Sequence, residues 1–122
     1  MAKEKDPKGR KWQITINNPA EKGFTHERII SELSTLKSTV YWCMADEIGA
    51  EEETPHTHIF VAFSSAVRFS TLKNHFPPAH FERANGTAQE NRDYIAKSGK
   101  WENDEKHGTK IDGTFEEWGE MP

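Results

Sequence analysis

Two histidines one residue apart, His56 and His58, lie in Pro55-His-Thr-His-Ile-Phe-Val-Ala-Phe63, a stretch whose apolar and β-branched residues predict a strand. At that spacing both imidazoles leave the same face of a sheet, where they can share one cation. Ile59, Val61 and Phe63 fall on the opposite face, the natural one to bury under helices. The apolar and aromatic run from Val40 to Glu47 predicts the antiparallel partner. Its parity assigns Val40, Trp42, Met44 and Asp46 to the helix-covered face, and Tyr41, Cys43, Ala45 and Glu47 to the face of the histidines. The pleat therefore selects Glu47, not its neighbour Asp46, as a third ligand. Two imidazoles and a carboxylate leave positions open for phosphate oxygens and water, a donor set suited to a catalytic Mn²⁺ or Mg²⁺. Taken alone, an H-x-H is more often just two half-exposed strand histidines. The same donors could also serve an iron oxygenase, but no jelly roll or cosubstrate pocket is foreseen here.

A second chemistry resides in Arg92-Asp-Tyr-Ile-Ala-Lys97. Tyr94 and Lys97 stand at i and i+3 on a predicted helix and so share one face. A phenol, with an ordinary pKa near 10, attacks phosphorus poorly unless a cation neutralises the phosphate and helps with the proton; a metal ion and Lys97 could both do so. By itself, such a pair is more commonly an amphipathic core tyrosine beside a solvated lysine.

These residues need a scaffold. Trp12-Gln-Ile-Thr-Ile-Asn17 alternates as a strand does and is ended by Asn-Pro. Thr25 is placed to cap a helix carrying Ile29, Ile30, Leu33 and Leu36 to about Lys37. The predicted pair of central strands follows. A short helix over Arg68–Phe76 is stopped by Pro77-Pro78, and a strand is expected over Ala79–Ala84. Thr87 should cap a third helix, with Glu90 completing a capping box and Ala88, Asn91, Tyr94 and Ile95 on one flank. That order predicts an α+β fold, an antiparallel sheet with packed helices. Past Trp101 an irregular tail is expected, with Phe115 and Trp118 docking back onto the domain.

Composition narrows the setting. The 122 residues suit one domain, and seven Phe and four Trp supply core surface that disordered chains lack. No apolar run approaches the roughly 20 residues needed to cross a bilayer, so no membrane is expected. The single cysteine, Cys43, cannot close an internal disulfide. A formal charge of −4 argues against indiscriminate nucleic-acid binding, yet residues 1–11 carry five basic side chains against two acidic ones, and residues 102–122 carry two against seven. The phosphate-binding loop of nucleotide motors is absent from the sequence.

Three stretches stand in order: Ile14-Thr-Ile-Asn-Asn-Pro19, Pro55-His-Thr-His58 and Tyr94-Ile-Ala-Lys97. Together they resemble the three motifs of the HUH endonuclease superfamily, specifically the replication initiator (Rep) proteins of circular single-stranded DNA viruses, most like those of circoviruses. The likeness spans about Trp12 to Lys97 and extends softly to Phe115-Glu-Glu-Trp-Gly119. It implies a ferredoxin- or RRM-like HUH fold with a central sheet of about five strands. It also implies Glu47, His56 and His58 as metal ligands, Tyr94 as nucleophile, and Lys97 near the phosphate or metal. His58 departs from circovirus proteins, which often carry Gln there, towards the fuller H-x-H form.

The implied activity is metal-dependent nicking and joining of single-stranded DNA through a 5′-phosphotyrosine, which initiates rolling-circle replication. The implied partner is a single-stranded origin stem-loop, contacted by Thr15, Asn17 and Asn18 of the first motif. Arg68, Lys73, Arg83 and the basic start are candidates for phosphate contacts. The expected organisation is a loose basic segment at 1–11, the nuclease domain at 12–101 and an acidic tail at 102–122. The tail would lead to a helicase domain outside this sequence, through which the protein could oligomerise, and a host nucleus is the expected location. The alternatives are a non-catalytic single-strand-binding module of RRM-like fold, which would need aromatic stacking platforms such as Tyr41 and Phe60, or a relaxase or transposase of the same superfamily.

Overall fold

Along Trp12-Gln-Ile-Thr-Ile16 every second side chain is buried and those between are only partly so, the mark of a strand with one face on a core. The computed structural model describes residues 6–48, 54–96 and 114–122. In chain order they form β1 (Lys8–Asn17), α1 (His26–Thr35), β2 (Thr39–Ile48), β3 (Pro55–Arg68), α2 (Phe69–His75), β4 (His80–Arg83), α3 (Ala88–Ala96) and β5 (Glu116–Gly119). The strands make one sheet in the order β4-β1-β3-β2-β5, and every neighbouring pair is antiparallel. The first six elements and the order 4-1-3-2 are those of a ferredoxin-like fold, so the α+β expectation is met.

Strand parity gives the sheet two buried faces. On the first, Trp12, Ile14, Ile16, Trp42, Met44, Ile59, Val61 and Phe63 pack beneath Ile29 and Leu33 of α1 and Leu72 of α2. On the second, Tyr41, Cys43, Ala45, Phe60 and Ala62 pack beneath Ala88 and Ile95 of α3, with Tyr94 and Phe115 alongside. The face of the histidines is therefore also covered, and Tyr41 and Phe60, the stacking platforms of the alternative binding module, are buried. Thr25 caps α1 as expected, its hydroxyl accepting from the Arg28 amide. The helix stops at Thr35 because Leu36 turns extended and donates back to Leu33.

Several further features differ from expectation for a pairing reason. β1 starts at Lys8, inside the segment expected to be loose, because β3 continues to Arg68 and pairs Lys8 and Gly9 with Arg68 and Val67. The Trp12 indole donates to the carbonyls of Gly9 and Val67 and fastens that end. α2 begins one residue late, at Phe69, since Arg68 still belongs to β3. A register shift between Thr39 and Tyr41 moves Val40 to the α3 face, against its predicted parity. The tail is not wholly irregular: Glu116–Gly119 pairs with Tyr41–Met44 as β5. Phe115 docks into the second core, whereas Trp118, opposite Trp42, stays 54% exposed.

Candidate metal and nucleophile site

The second face ends, at the Ile48/Pro55 end of the β2–β3 pair, in polar side chains. Glu47 lies directly opposite His56, and His58 lies opposite Ala45. Across the other edge of β3, Thr15 faces His58 and Asn17 faces His56. Directly opposed residues share a face, so three strands deliver Thr15, Asn17, Glu47, His56 and His58 to one surface. Glu47 Oε2 stands 3.3 Å from His58 Nδ1 and 3.8 Å from His56 Nε2. Asp46 turns to the opposite face, where its Oδ1 accepts from Thr57 at 2.7 Å and meets His26 Nε2 at 2.8 Å. The pleat thus separates the two acids in the way that parity predicts.

Whether these groups suit a divalent ion can be judged from their chemistry and spacing. Cis ligands at about 2.1 Å from an octahedral ion are roughly 3.0 Å apart; the carboxylate sits slightly beyond that from one ring and further from the other. Among the described residues no group of three such side chains is already drawn in around a cation site. The donors are nevertheless of the right kind, and the Glu47 side chain is only 7% exposed while bridging both rings. A buried carboxylate in this position is compatible with a cation. The three residues fit the group, with side-chain adjustment.

Tyr94 enters from above, on α3. Its ring meets that of His58 edge to face, with centroids 5.4 Å apart and planes at 85°. The helix is held at its start by a reciprocal capping box, in which Thr87 Oγ1 accepts from the Glu90 amide and Glu90 Oε1 from the Thr87 amide. Arg92 fixes its flank through a bidentate pair with Glu117 of β5, at 2.9 and 3.0 Å. Two further side chains of this face could in principle act as nucleophiles, Tyr41 and Cys43. Burial, followed by Cys43 and Glu117, raises the Tyr41 phenol far above its ordinary range, and its hydroxyl donates to Glu117. Burial likewise pushes the Cys43 thiol up to about 12.

The remaining candidates separate. Asn18 takes a left-handed turn, φ 50°, that Asn tolerates, and its amide donates to Pro55, joining the end of β1 to the start of β3. Arg83 lines a cleft of about 370 Å³ beside α3, together with Gln13, Glu82, Asn85, Asn91 and Tyr94. Arg68 lies at the opposite end of β3 from His56, about 40 Å of strand away, with its guanidinium 3.9 Å from Asp6. Lys73 is on α2, which packs on the other face. Lys97 falls outside the described residues.

Two residues that the sequence did not mark as part of the site, Gln13 and Asn91, join it. Gln13 Oε1 is 2.5 Å from His58 Nε2, and Gln13 Nε2 donates to Asn91 Oδ1 at 2.6 Å. The available signal was a long polar side chain at a half-buried position of an otherwise regular strand.

Residues 9–98 match the sequence profile of a family described as "Putative viral replication protein". The chain is similar to the replication-associated proteins of beak and feather disease virus, 32% identical over 90 residues, and of porcine circovirus 1, 35% over 92. These matches cover 74% of this chain and 29% and 28% of the relatives. The master replication protein of banana bunchy top virus is 25% identical over 105 residues, which is 86% of this chain and 30% of that protein. The chain thus spans less than a third of the length of these relatives.

Proposed function

The chain belongs to the family of viral replication proteins, and on that premise we propose that it is the part of a replication initiator that cuts and rejoins single-stranded origin DNA. Tyr94 Oη is the nucleophile. It gives up its proton and bonds to the phosphorus of a scissile phosphodiester as the bond from phosphorus to the 3′ oxygen breaks, and the departing oxygen takes up a proton, so that none is gained or lost overall. The products are a 5′-phosphotyrosine and a free 3′-hydroxyl able to prime synthesis. Attack by a second 3′-hydroxyl on the phosphotyrosine reverses these bond changes and rejoins the strand.

Glu47, His56 and His58 would hold Mn²⁺ or Mg²⁺, which when bound polarises a phosphate oxygen and offsets the charge developing in the transition state. The chain's own residues supply the positioning. His58 holds the Tyr94 ring against the ligand cluster, the capping box and the Arg92–Glu117 pair set the helix that carries the tyrosine, and Thr15 and Asn17 border the same surface. Arg83 is the basic candidate best placed for a phosphate, because it lines the cleft beside Tyr94. Arg68 and Lys73, if they contact DNA, do so away from the cluster.

One observation carries this reading: the ring of Tyr94 meets that of His58 edge to face, and His58 in turn neighbours a buried carboxylate shared with His56. A binding module that stacks bases on aromatic platforms is less well supported, because Tyr41 and Phe60 are buried beneath α3. The test is to incubate the protein with an origin-like single-stranded oligonucleotide and Mn²⁺ and look for a denaturant-resistant protein–DNA adduct. Wild type should form it and Tyr94→Phe should not; equal cleavage by the two proteins rejects the nucleophile.

A further inference from the structure

The hydrogen bonds behind His58 have a direction that can be traced residue by residue. Asn91 is buried, and its Nδ2 donates to the carbonyls of Asn85 and Thr87, both at 2.8 Å. Carbonyl oxygens only accept, so the amide cannot be flipped without setting oxygen against oxygen twice. Its Oδ1 is thereby turned to Gln13, which must meet it with Nε2. That leaves Gln13 Oε1 facing His58 Nε2. An amide oxygen cannot donate, so the proton between them belongs to His58 Nε2. The ring nitrogen towards Glu47 is then Nδ1, at 3.3 Å. In the neutral ring it presents a lone pair to a carboxylate, an arrangement satisfied by a cation held between the two. His56 is arranged the other way. Its Nδ1 faces the Thr54 carbonyl at 3.3 Å and must carry the proton, leaving Nε2 towards Glu47.

We infer that Gln13 and Asn91 are positioning residues that fix His58 as its Nε2–H tautomer, so that His58 offers Nδ1 and His56 offers Nε2 to the ion. This rests on the reading that Glu47, His56 and His58 hold a divalent metal. The partner of a ligating imidazole's second nitrogen fixes its tautomer and orientation. Here that partner is reached through Asn91, which stands on the same helix as Tyr94, so the relay also ties the nucleophile's helix to a metal ligand.

The test compares wild type with Gln13→Met, which keeps the side chain's length and removes both its donor and its acceptor. Circular dichroism confirms that the variant is folded. Long-range ¹H–¹⁵N spectra of the metal-free proteins, recorded at a pH where the rings are neutral, read the tautomers directly. Mn²⁺ affinity is measured from the electron paramagnetic resonance of free Mn²⁺. Wild type should show Nε2–H for His58 and Nδ1–H for His56. Gln13→Met should lose the single His58 tautomer and bind Mn²⁺ about 10- to 100-fold more weakly, the usual effect of deleting such a partner. The same tautomer in both wild-type rings, an unchanged His58 spectrum in the variant, or an unchanged Mn²⁺ affinity overturns the inference. Failure of wild type to bind Mn²⁺ would sink the metal reading itself, and is told apart because the ring spectra need no ion.

Discussion

Replacing Gly119 by alanine should release β5 from the sheet. Gly119 has φ +89°, and a Cβ built on it would lie 2.1 Å from the carbonyl oxygen of Val40, 3.0 Å from the Val40 carbonyl carbon and 3.1 Å from Tyr41 Cα. All three atoms are backbone, so no side chain can swing aside. The left-handed φ alone costs about 1–3 kcal/mol for a residue other than glycine. Relieving the overlap needs roughly 1 Å of movement, measured against ordinary contact distances. That movement falls where the Glu120 amide donates to Val40, 3.0 Å, and where Gly119 pairs with Tyr41. The cheaper course is to detach the strand, which forfeits its pairing with β2 and the partly exposed Arg92–Glu117 ion pair, worth about 1 kcal/mol or less. We expect a loss of about 2–3 kcal/mol, hence a Tm lower by about 10 °C for a domain of this size, and loss of amide-exchange protection over residues 116–119. A Gly119→Ala protein melting within about 2 °C of wild type, with those amides still protected, would refute the reasoning.

Two further outcomes follow from contacts elsewhere. Burial lowers the His26 pKa, but hydrogen bonds to Asp46 and Glu116 outweigh it and hold the ring above its ordinary 6.5. A folded pKa above the unfolded one stabilises the protein fully below pH 6.5, and the contribution disappears as pH rises through the folded value. Denaturant titrations of wild type and His26→Gln should therefore diverge in acid and converge as pH rises through the folded value; a constant difference from pH 5 to 9 counts against the pairing. Thr87→Ala deletes one half of the capping box on α3 and should cost about 1 kcal/mol, read as a lower denaturation midpoint with an unchanged slope, while an unaltered midpoint would show that the cap does not hold this helix.

What the sequence disclosed is what a two-residue period can encode. The faces of Trp42, Met44, Glu47, His56 and His58 follow from alternation alone, because a one-residue error would turn every side chain over. Val40 broke the rule only where the register shifts, and a bulge leaves no mark in a short apolar run. The first residues of β1 were hidden because Lys-Gly-Arg-Lys has no apolar alternation; its pairing is supplied by the far end of β3. β5 was hidden for a similar reason, since Glu-Glu-Trp-Gly becomes a strand only against Tyr41–Met44. Periodicity also says which side of a helix is buried but not against which face of a sheet, so the covering of Tyr41 and Phe60 by α3 could not be read. Gln13 and Asn91, 78 positions apart, meet through amides that no local pattern announces.

The two outermost strands, β4 and β5, are each four residues long. Between them they present His80, Glu82 and Arg83 on one margin and Glu116 and Glu117 on the other, all exposed. An unpaired strand edge is a template on which another chain can add a strand, and short, charge-bearing margins are poor templates. The sheet therefore carries its own protection against edge-to-edge polymerisation, and the longer strands β1, β2 and β3, which carry the apolar core residues, are kept at its centre.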